Sequence, residues 1–294
     1  MIIVIAGPTA VGKTKLSIEL AKRLNGEVIN SDSTQVYREM NIGTAKVTEE
    51  EKEGIPHHLF DIKNIDEDYT VYDYQKDARR VIEDILKRGK TPILAGGTGL
   101  YIKAALFNYE FKDEDTKYDF SNLSNEEVYN KLKELDPNTD IHINNRKRVE
   151  RALTYCLNNN DSISNNTKGN ELLYDTVFIG LTTDRDFLYK RINMRVDVMV
   201  KNGLIDEAKY FYDKNIRSKA VMTPICYKEL FDYFDGNNSL DDALDLIRQR
   251  SRKYAKRQYT WFKNQLPVKW FDVDFDNFDN TVNSILNYIK SIQK

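Results

Sequence analysis

The stretch Ile2-Ile3-Val4-Ile5-Ala6, followed by Gly7-Pro8-Thr9-Ala10-Val11-Gly12-Lys13-Thr14, constrains the fold of this chain more than any other. Five apolar residues, mostly β-branched, predict a buried strand, and Gly7 to Thr14 fits the phosphate-loop pattern G-x-x-x-x-G-K-[ST]. Leu16, Leu20 and Leu24 then recur at helical spacing until Asn25-Gly26 stops the helix. Strand, glycine loop and helix in that order place the chain in the α/β class, with a parallel sheet whose ligand sits at the carboxyl ends of the strands. Gly7 and Gly12 let the backbone wrap an anion with its N–H groups inward, and the following helix turns its positive end toward the phosphate. Lys13 is expected to add a point charge, and the Thr14 hydroxyl is of the kind that can hold Mg²⁺. Such a loop binds a diphosphate or triphosphate without specifying which.

A second carboxyl-end loop follows the short strand candidate Glu27 to Asn30 and carries Asp32, Ser33, Thr34 and Gln35. Asp32 has three readings here: a water-mediated Mg²⁺ ligand, an acceptor for the proton of a bound nucleophile, or a cap for backbone N–H groups. Thr48-Glu49-Glu50-Glu51 reads as a capped helix start. His57 and His58 lie adjacent in a predicted strand and so point to opposite faces; that geometry chelates metal poorly and favours a structural role. Val71, Tyr74, Ala78, Val81 and Ile85 predict an amphipathic helix ending at Gly89, and Thr91 to Ala95 a further buried strand. Gly96-Gly97-Thr98-Gly99 then returns the chain to the same sheet edge, where Thr98 is expected to face ligand, with a plain tight turn as the alternative.

From Phe111 to Asp140 the sequence turns acidic and polar, with one helix over 125–135, and this marks an inserted helical lobe. The expected division is 1–112 for the first part of the core, 113–145 for the lobe, and 146–294 for the rest of the core with its C-terminal helices. The Asn-rich stretch 158–170 reads as a loop. Thr176 to Leu181 is the last expected core strand, and one long helix is predicted from Phe187 to about Lys214, with Arg191 and Arg195 a turn apart.

Charge is concentrated in two places although the net charge of the 294-residue chain is only −2. Arg146, Lys147, Arg148 and Arg151 form one run, readable as a solvated helix face or as a phosphate-backbone contact. A predicted helix over 240–261 carries Arg248, Arg250, Arg252, Lys253, Lys256 and Arg257 with no acidic residue between them, interleaved with Tyr254, Tyr259, Trp261 and Phe262. A cationic helix lacking an apolar stripe favours contact with an anion or nucleic acid over core packing. The two cysteines, Cys156 and Cys226, have neither disulfide-framework nor zinc spacing. With no long apolar run, and Met1 leading straight into the first strand, the expectation is a cytoplasmic protein with no membrane segment. A monomer is expected, although nothing in the sequence fixes the oligomeric state.

Taken together, the motifs at 7–14, 32–38 (Asp-Ser-Thr-Gln-Val-Tyr-Arg), 42–46 (Ile-Gly-Thr-Ala-Lys), 56–59 (Pro-His-His-Leu), 96–101 (Gly-Gly-Thr-Gly-Leu-Tyr), 148–153 (Arg-Val-Glu-Arg-Ala-Leu) and 255–262 (Ala-Lys-Arg-Gln-Tyr-Thr-Trp-Phe) resemble the tRNA dimethylallyltransferase family. The chain departs from the family pattern at Cys226, where glycine is usual, and at Ile143, where proline is usual. It ends without the zinc finger of eukaryotic relatives, which implies the bacterial type.

The resemblance implies a P-loop, kinase-like core with a helical insertion. It implies transfer of a dimethylallyl group from dimethylallyl diphosphate to N6 of adenosine 37 in tRNA, with Mg²⁺ as cofactor. Gly7, Pro8, Thr9, Ala10, Val11, Gly12, Lys13 and Thr14 would then hold the diphosphate, and Asp32, Lys13, Thr14 and Arg252 would act in catalysis. Asp32, Ser33, Thr34, Gln35, Thr98, Lys147, Arg148, Arg151, Lys256 and Arg257 would meet the tRNA. A P-loop nucleotide kinase binding ATP and a free-AMP isopentenyltransferase are the alternative readings.

Overall fold

The computed structural model describes residues 1–111, 116, 118–162 and 170–293. It separates the chain into two units, Met1–Leu106 with Tyr174–Lys294, and Phe107–Leu173. In the first unit the chain runs through β1 (Ile2–Ala6), α1 (Lys13–Arg23), β2 (Gly26–Asn30), β3 (His57–His58), α2 (Val71–Lys87), β4 (Thr91–Ala95) and α3 (Gly99–Leu106). The second unit holds α4 (Asn125–Leu135) and α5 (Arg146–Asn159). The first then resumes with β5 (Thr176–Thr182), α6 (Arg185–Lys201), α7 (Leu204–Asp213), α8 (Lys219–Met222), α9 (Tyr227–Phe234), α10 (Leu240–Gln265), β6 (Lys269–Asp272) and α11 (Phe278–Ile292).

All six strands are parallel, in the order β3-β2-β4-β1-β5-β6. Parallel strands covered on both faces are apolar throughout, and every residue of β1 is buried. Its side chains join Leu16 and Leu20 of α1, Ile93 of β4, Ile179 of β5 and Val282 and Ile285 of α11 in one core. The register sets Ile5 opposite both Ala95 and Ile179, and Asn30 opposite Ala95. The loops after β1, β2 and β4 therefore leave the sheet at one edge, which brings Gly7 to Thr14, Asp32 and Thr98 together as expected.

Four sequence expectations change. The sheet gains β6 beyond β5, and β6 is a four-residue edge strand with no fully buried position, so it carries little periodic signal. Gly180 makes room for it: a Cβ there would lie 2.6 Å from the Trp270 ring. The long helix expected from 187 is two helices, broken where Gly203 adopts φ 100°. Thr48 and Glu51 make reciprocal capping hydrogen bonds of 2.9 and 3.2 Å, yet only turns follow.

The fourth change is the extent of the inserted unit, which spans Phe107–Leu173 and takes in α5 with Lys147, Arg148 and Arg151. Its core is the α4–α5 contact of Val128, Leu132, Val149, Ala152, Leu153 and Cys156, so neither helix buries its apolar face alone. Arg146 serves this unit internally, donating to the carbonyls of Leu123 (2.8 Å) and Phe120 (2.5 Å). Of the loop expected over 158–170, residues 163–169 lie outside the described residues, and Asn158 and Asn159 belong to α5.

Cys226 is fully buried with φ 151° and ψ −52°, a region that disfavours side chains. Glycine normally costs a protein stability relative to alanine, and here the order is expected to invert. Chemical denaturation should show Cys226→Gly to be more stable than Cys226→Ala by about 1 kcal/mol, the low end of such backbone strain. Equal stability would mean that this φ carries no strain.

Candidate active site

The phosphate loop has the backbone its glycines predict. Gly7 has φ 140° and passes so close to β5 that a Cβ would lie 2.8 Å from the Leu181 carbonyl, while Gly12 has φ 105° at the start of α1. No side chain caps α1, and no acidic residue lies in its first turn, so its N–H groups remain directed at an incoming anion. Lys13 Nζ folds back over the loop to donate to the carbonyls of Gly7 (3.0 Å) and Pro8 (2.7 Å). Burial and the neighbouring Arg195 pull its pKa down to about 7, against the opposing charge of Asp32.

Three further side chains reach this loop from distant elements. Arg195 of α6 donates to Thr9 Oγ1 (2.8 Å), and Arg191, one turn earlier, donates to the Ala10 carbonyl (3.0 Å). Burial lowers the pKa of Arg195, and the carboxylates of Asp32 and Glu51 oppose that effect. Gln258 of α10, itself buried, accepts from Thr9 N (2.9 Å) and donates to the Gly97 carbonyl (3.1 Å), tying the phosphate loop to the loop after β4. In the sequence Arg191 and Arg195 are visible only as a pair one turn apart with no role attached, and Gln258 only as one residue of the motif at 255–262.

Around Asp32 the structure realises one of the three readings while leaving the other two chemically available. Oδ1 accepts from Thr34 N (3.0 Å) and Thr34 Oγ1 (2.7 Å), a capping turn, whereas Oδ2 lies on the side of Gly97. Thr98 Oγ1 accepts from Ser33 N (3.0 Å), and Thr98 N donates to the Ser31 carbonyl (2.9 Å). The hydroxyl of Thr98 thus braces the Asp32 loop. The glycines around it meet protein: a Cβ on Gly96 would strike Ser31 at 2.2 Å, one on Gly97 would strike Gln258 at 2.2 Å, and one on Gly99 would strike Trp261 at 2.0 Å. Gln35 Nε2 donates to the carbonyls of Thr44 (2.9 Å) and Ala45 (3.2 Å).

The basic helix α10 does have a buried stripe, contrary to expectation: Ala243, Leu244, Ile247, Ala255, Gln258 and Phe262. Half of the stripe is small or polar (Ala243, Ala255 and Gln258), which is why hydrophobicity alone hides it. Its aromatic residues serve as anchors, with Phe262 fully buried, Trp261 filling the space left by Gly99 and Tyr259 packed on Trp270. Arg252 donates to Asn193 of α6 (2.7 Å), Arg248 pairs with Asp197 and Asp245 at 2.6 Å each, and Arg250 pairs with buried Glu229. Lys256 and Arg257 are exposed on the outer face, and on the inserted unit so are Lys147, Arg148 and Arg151.

The histidines are structural, as expected. His58 Nε2 lies 2.7 Å from Glu27 Oε2, and the buried Glu27 carboxylate is held far below the usual range, first by Arg88. His57 Nδ1 donates to the Ile55 carbonyl (2.8 Å).

A model of the IPP transferase family matches residues 35–265. This chain belongs to the IPP transferase family. The tRNA dimethylallyltransferase of Anoxybacillus flavithermus is 49% identical over 298 residues, covering 98% of this chain and 96% of that protein. The crystal structure of the full-length tRNA isopentenylpyrophosphate transferase from Bacillus halodurans has a TM-score of 0.76 at 47% identity, covering 99% of this chain and 95% of that one. A eukaryotic dimethylallyltransferase, described as acting on tRNA, superposes with a TM-score of 0.84 at 32% identity, over 97% of this chain and 77% of that one.

Proposed function

We propose that the chain transfers a dimethylallyl group from dimethylallyl diphosphate to N6 of adenosine 37 in tRNA and releases pyrophosphate. The observation that carries this reading is the convergence of Lys13, Arg191 and Arg195 on the loop from Gly7 to Thr14, beside the carboxylate of Asp32. One side suits a leaving diphosphate, and the other suits a nucleophile that must lose a proton. In the transfer, N6 forms a bond to the allylic carbon, the carbon–oxygen bond to the diphosphate breaks, and the N6 proton passes to Asp32 Oδ2. Lys13 and Arg195 offset the charge that grows on the departing oxygen, where preorganised cations act most strongly. Since the target amine lies in a stacked loop, adenosine 37 must turn out into the site. Ser33, Thr34 and Gln35 flank Asp32 and are placed to read its edge, while Lys147, Arg148, Arg151, Lys256 and Arg257 offer exposed charge to the RNA backbone.

Mg²⁺ fits the side chains present. Thr14 exposes a hydroxyl on the first turn of α1, and Asp32 retains one carboxylate oxygen. Among the described residues no cluster of three His, Cys, Asp or Glu forms a dedicated cage. Such sparse oxygen donors suit an ion that completes its shell with water and the diphosphate, and when bound it would neutralise part of the diphosphate charge. Among the described residues no helix is long and apolar enough to cross a membrane; a monomer acting on tRNA in the cytoplasm is part of this proposal.

Incubation with labelled dimethylallyl diphosphate and unmodified tRNA, followed by nucleoside analysis, tests the reading: label should appear in N6-dimethylallyl adenosine. Transfer of the γ-phosphate of ATP, or preference for AMP over tRNA, would overturn it.

A further inference from the structure

We infer that Glu207 is a positioning residue for the tRNA nucleoside, acting through the turn at 41–45 on the side chain of Gln35; this rests on the transfer reading above. Glu207 lies on α7, away from the phosphate loop in sequence. Its Oε2 accepts from Asn41 N (2.9 Å) and Ile42 N (2.8 Å), and its Oε1 from Gly43 N (2.8 Å) and the Tyr227 hydroxyl (2.7 Å). Three successive backbone N–H groups and a buried phenol thereby fill the four acceptor directions of one carboxylate. Gly43 is required for this approach, because a Cβ there would lie 2.6 Å from the Tyr227 ring.

The turn so gripped is closed by Ala45 N donating to the Ile42 carbonyl (2.9 Å) and Thr44 Oγ1 donating to the Met40 carbonyl (2.6 Å). Its outward product is a pair of fixed carbonyls, on Thr44 and Ala45, and both accept from Gln35 Nε2. Two acceptors at one end of a side-chain amide settle which end carries the NH₂ group. Gln35 is thereby held with Oε1 as its remaining polar atom, an acceptor suited to an exocyclic amine such as that of adenine and unsuited to a ring carbonyl. Glu207 sets this orientation without touching substrate.

Glu207→Gln places an NH₂ group against N–H donors and loosens the turn. The expected result is a rise of about tenfold in KM for tRNA, the effect of leaving one or two buried polar groups unpaired. The affinity for dimethylallyl diphosphate should stay within about twofold. Gln35→Ala should raise the same KM, and combining the two substitutions should add nothing beyond Gln35→Ala alone. Tyr227→Phe removes only one of the four donors; it should give a smaller rise, about threefold, again non-additive with Gln35→Ala, and it serves if Glu207→Gln fails to fold. If the effects of either pair multiply, or if diphosphate affinity falls in parallel with tRNA KM, the coupling to Gln35 is wrong. An unmodified parent enzyme that transfers no prenyl group would instead overturn the transfer reading and this inference with it.

Discussion

Asp32→Asn is expected to lower the single-turnover rate of prenyl transfer by about 10²–10⁴-fold, the range ascribed to a positioned general base, while tRNA affinity changes by no more than about twofold. The adenine amine is a poor nucleophile because its lone pair is delocalised into the ring, so removal of its proton weighs heavily on the barrier. Asparagine is the informative replacement because Asp32 has two tasks. Its Oδ1 accepts from the backbone and side chain of Thr34, and an amide oxygen can keep both bonds, whereas it cannot take a proton from N6. Asp32→Ala should lose the same chemistry and additionally loosen residues 33–35, although Ser33 N stays held by Thr98. Rapid-quench measurement of transfer beside equilibrium tRNA binding separates the two tasks. Parallel loss of rate and binding in Asp32→Asn would sink the base assignment.

Where local chemistry determines local structure, the sequence was legible. The strands at 2–6 and 91–95 and the helix at 125–135 fall at their expected positions, because a β-branched run at 2–5, a short buried stretch at 92–94 and a Ser124 capping box leave the backbone few alternatives. Asp32 could be placed beside the phosphate loop because parallel strands deliver their following loops to a common edge.

Arg191, Arg195 and Gln258 are a different case. They reach Thr9 and Ala10 across 181 to 249 residues of chain, and in the sequence they look like ordinary polar positions on helices. For Gln258 the signal was the glycine beneath it: Gly97 is needed because the amide of Gln258 occupies the space a side chain would take. At Thr98 the two readings share one composition, since a glycine-rich turn that admits another protein segment looks like one that admits a ligand, and the structure shows its hydroxyl accepting from Ser33 N. Arg252, expected at the diphosphate, is bound to Asn193, while Arg195 supplies a guanidinium directly on the phosphate loop.

Lys13→Ala is expected to cost about 10²–10³-fold in kcat/KM, comparable to losing one preorganised donor at a developing anion, and the unusual pKa of this lysine predicts how the parent enzyme behaves with pH. In the free protein burial and Arg195 depress that pKa to about 7 from an ordinary 10.5. Between these values the unfolded chain carries a proton that the folded chain has lost, so for this group stability rises as pH increases from about 7 toward 10.5. A bound diphosphate opposes the effect of Arg195 and restores the charged form. Binding above pH 7 must therefore take up a proton, and affinity for dimethylallyl diphosphate must fall with rising pH until the pKa of the bound state is passed. Calorimetry in buffers of different ionisation enthalpy should detect this uptake at pH 8. Lys13→Arg keeps a cation that does not titrate in this range, so it should bind the diphosphate without that component. Equal proton uptake by the parent and Lys13→Arg would assign the titration to the ligand and leave Lys13 charged throughout.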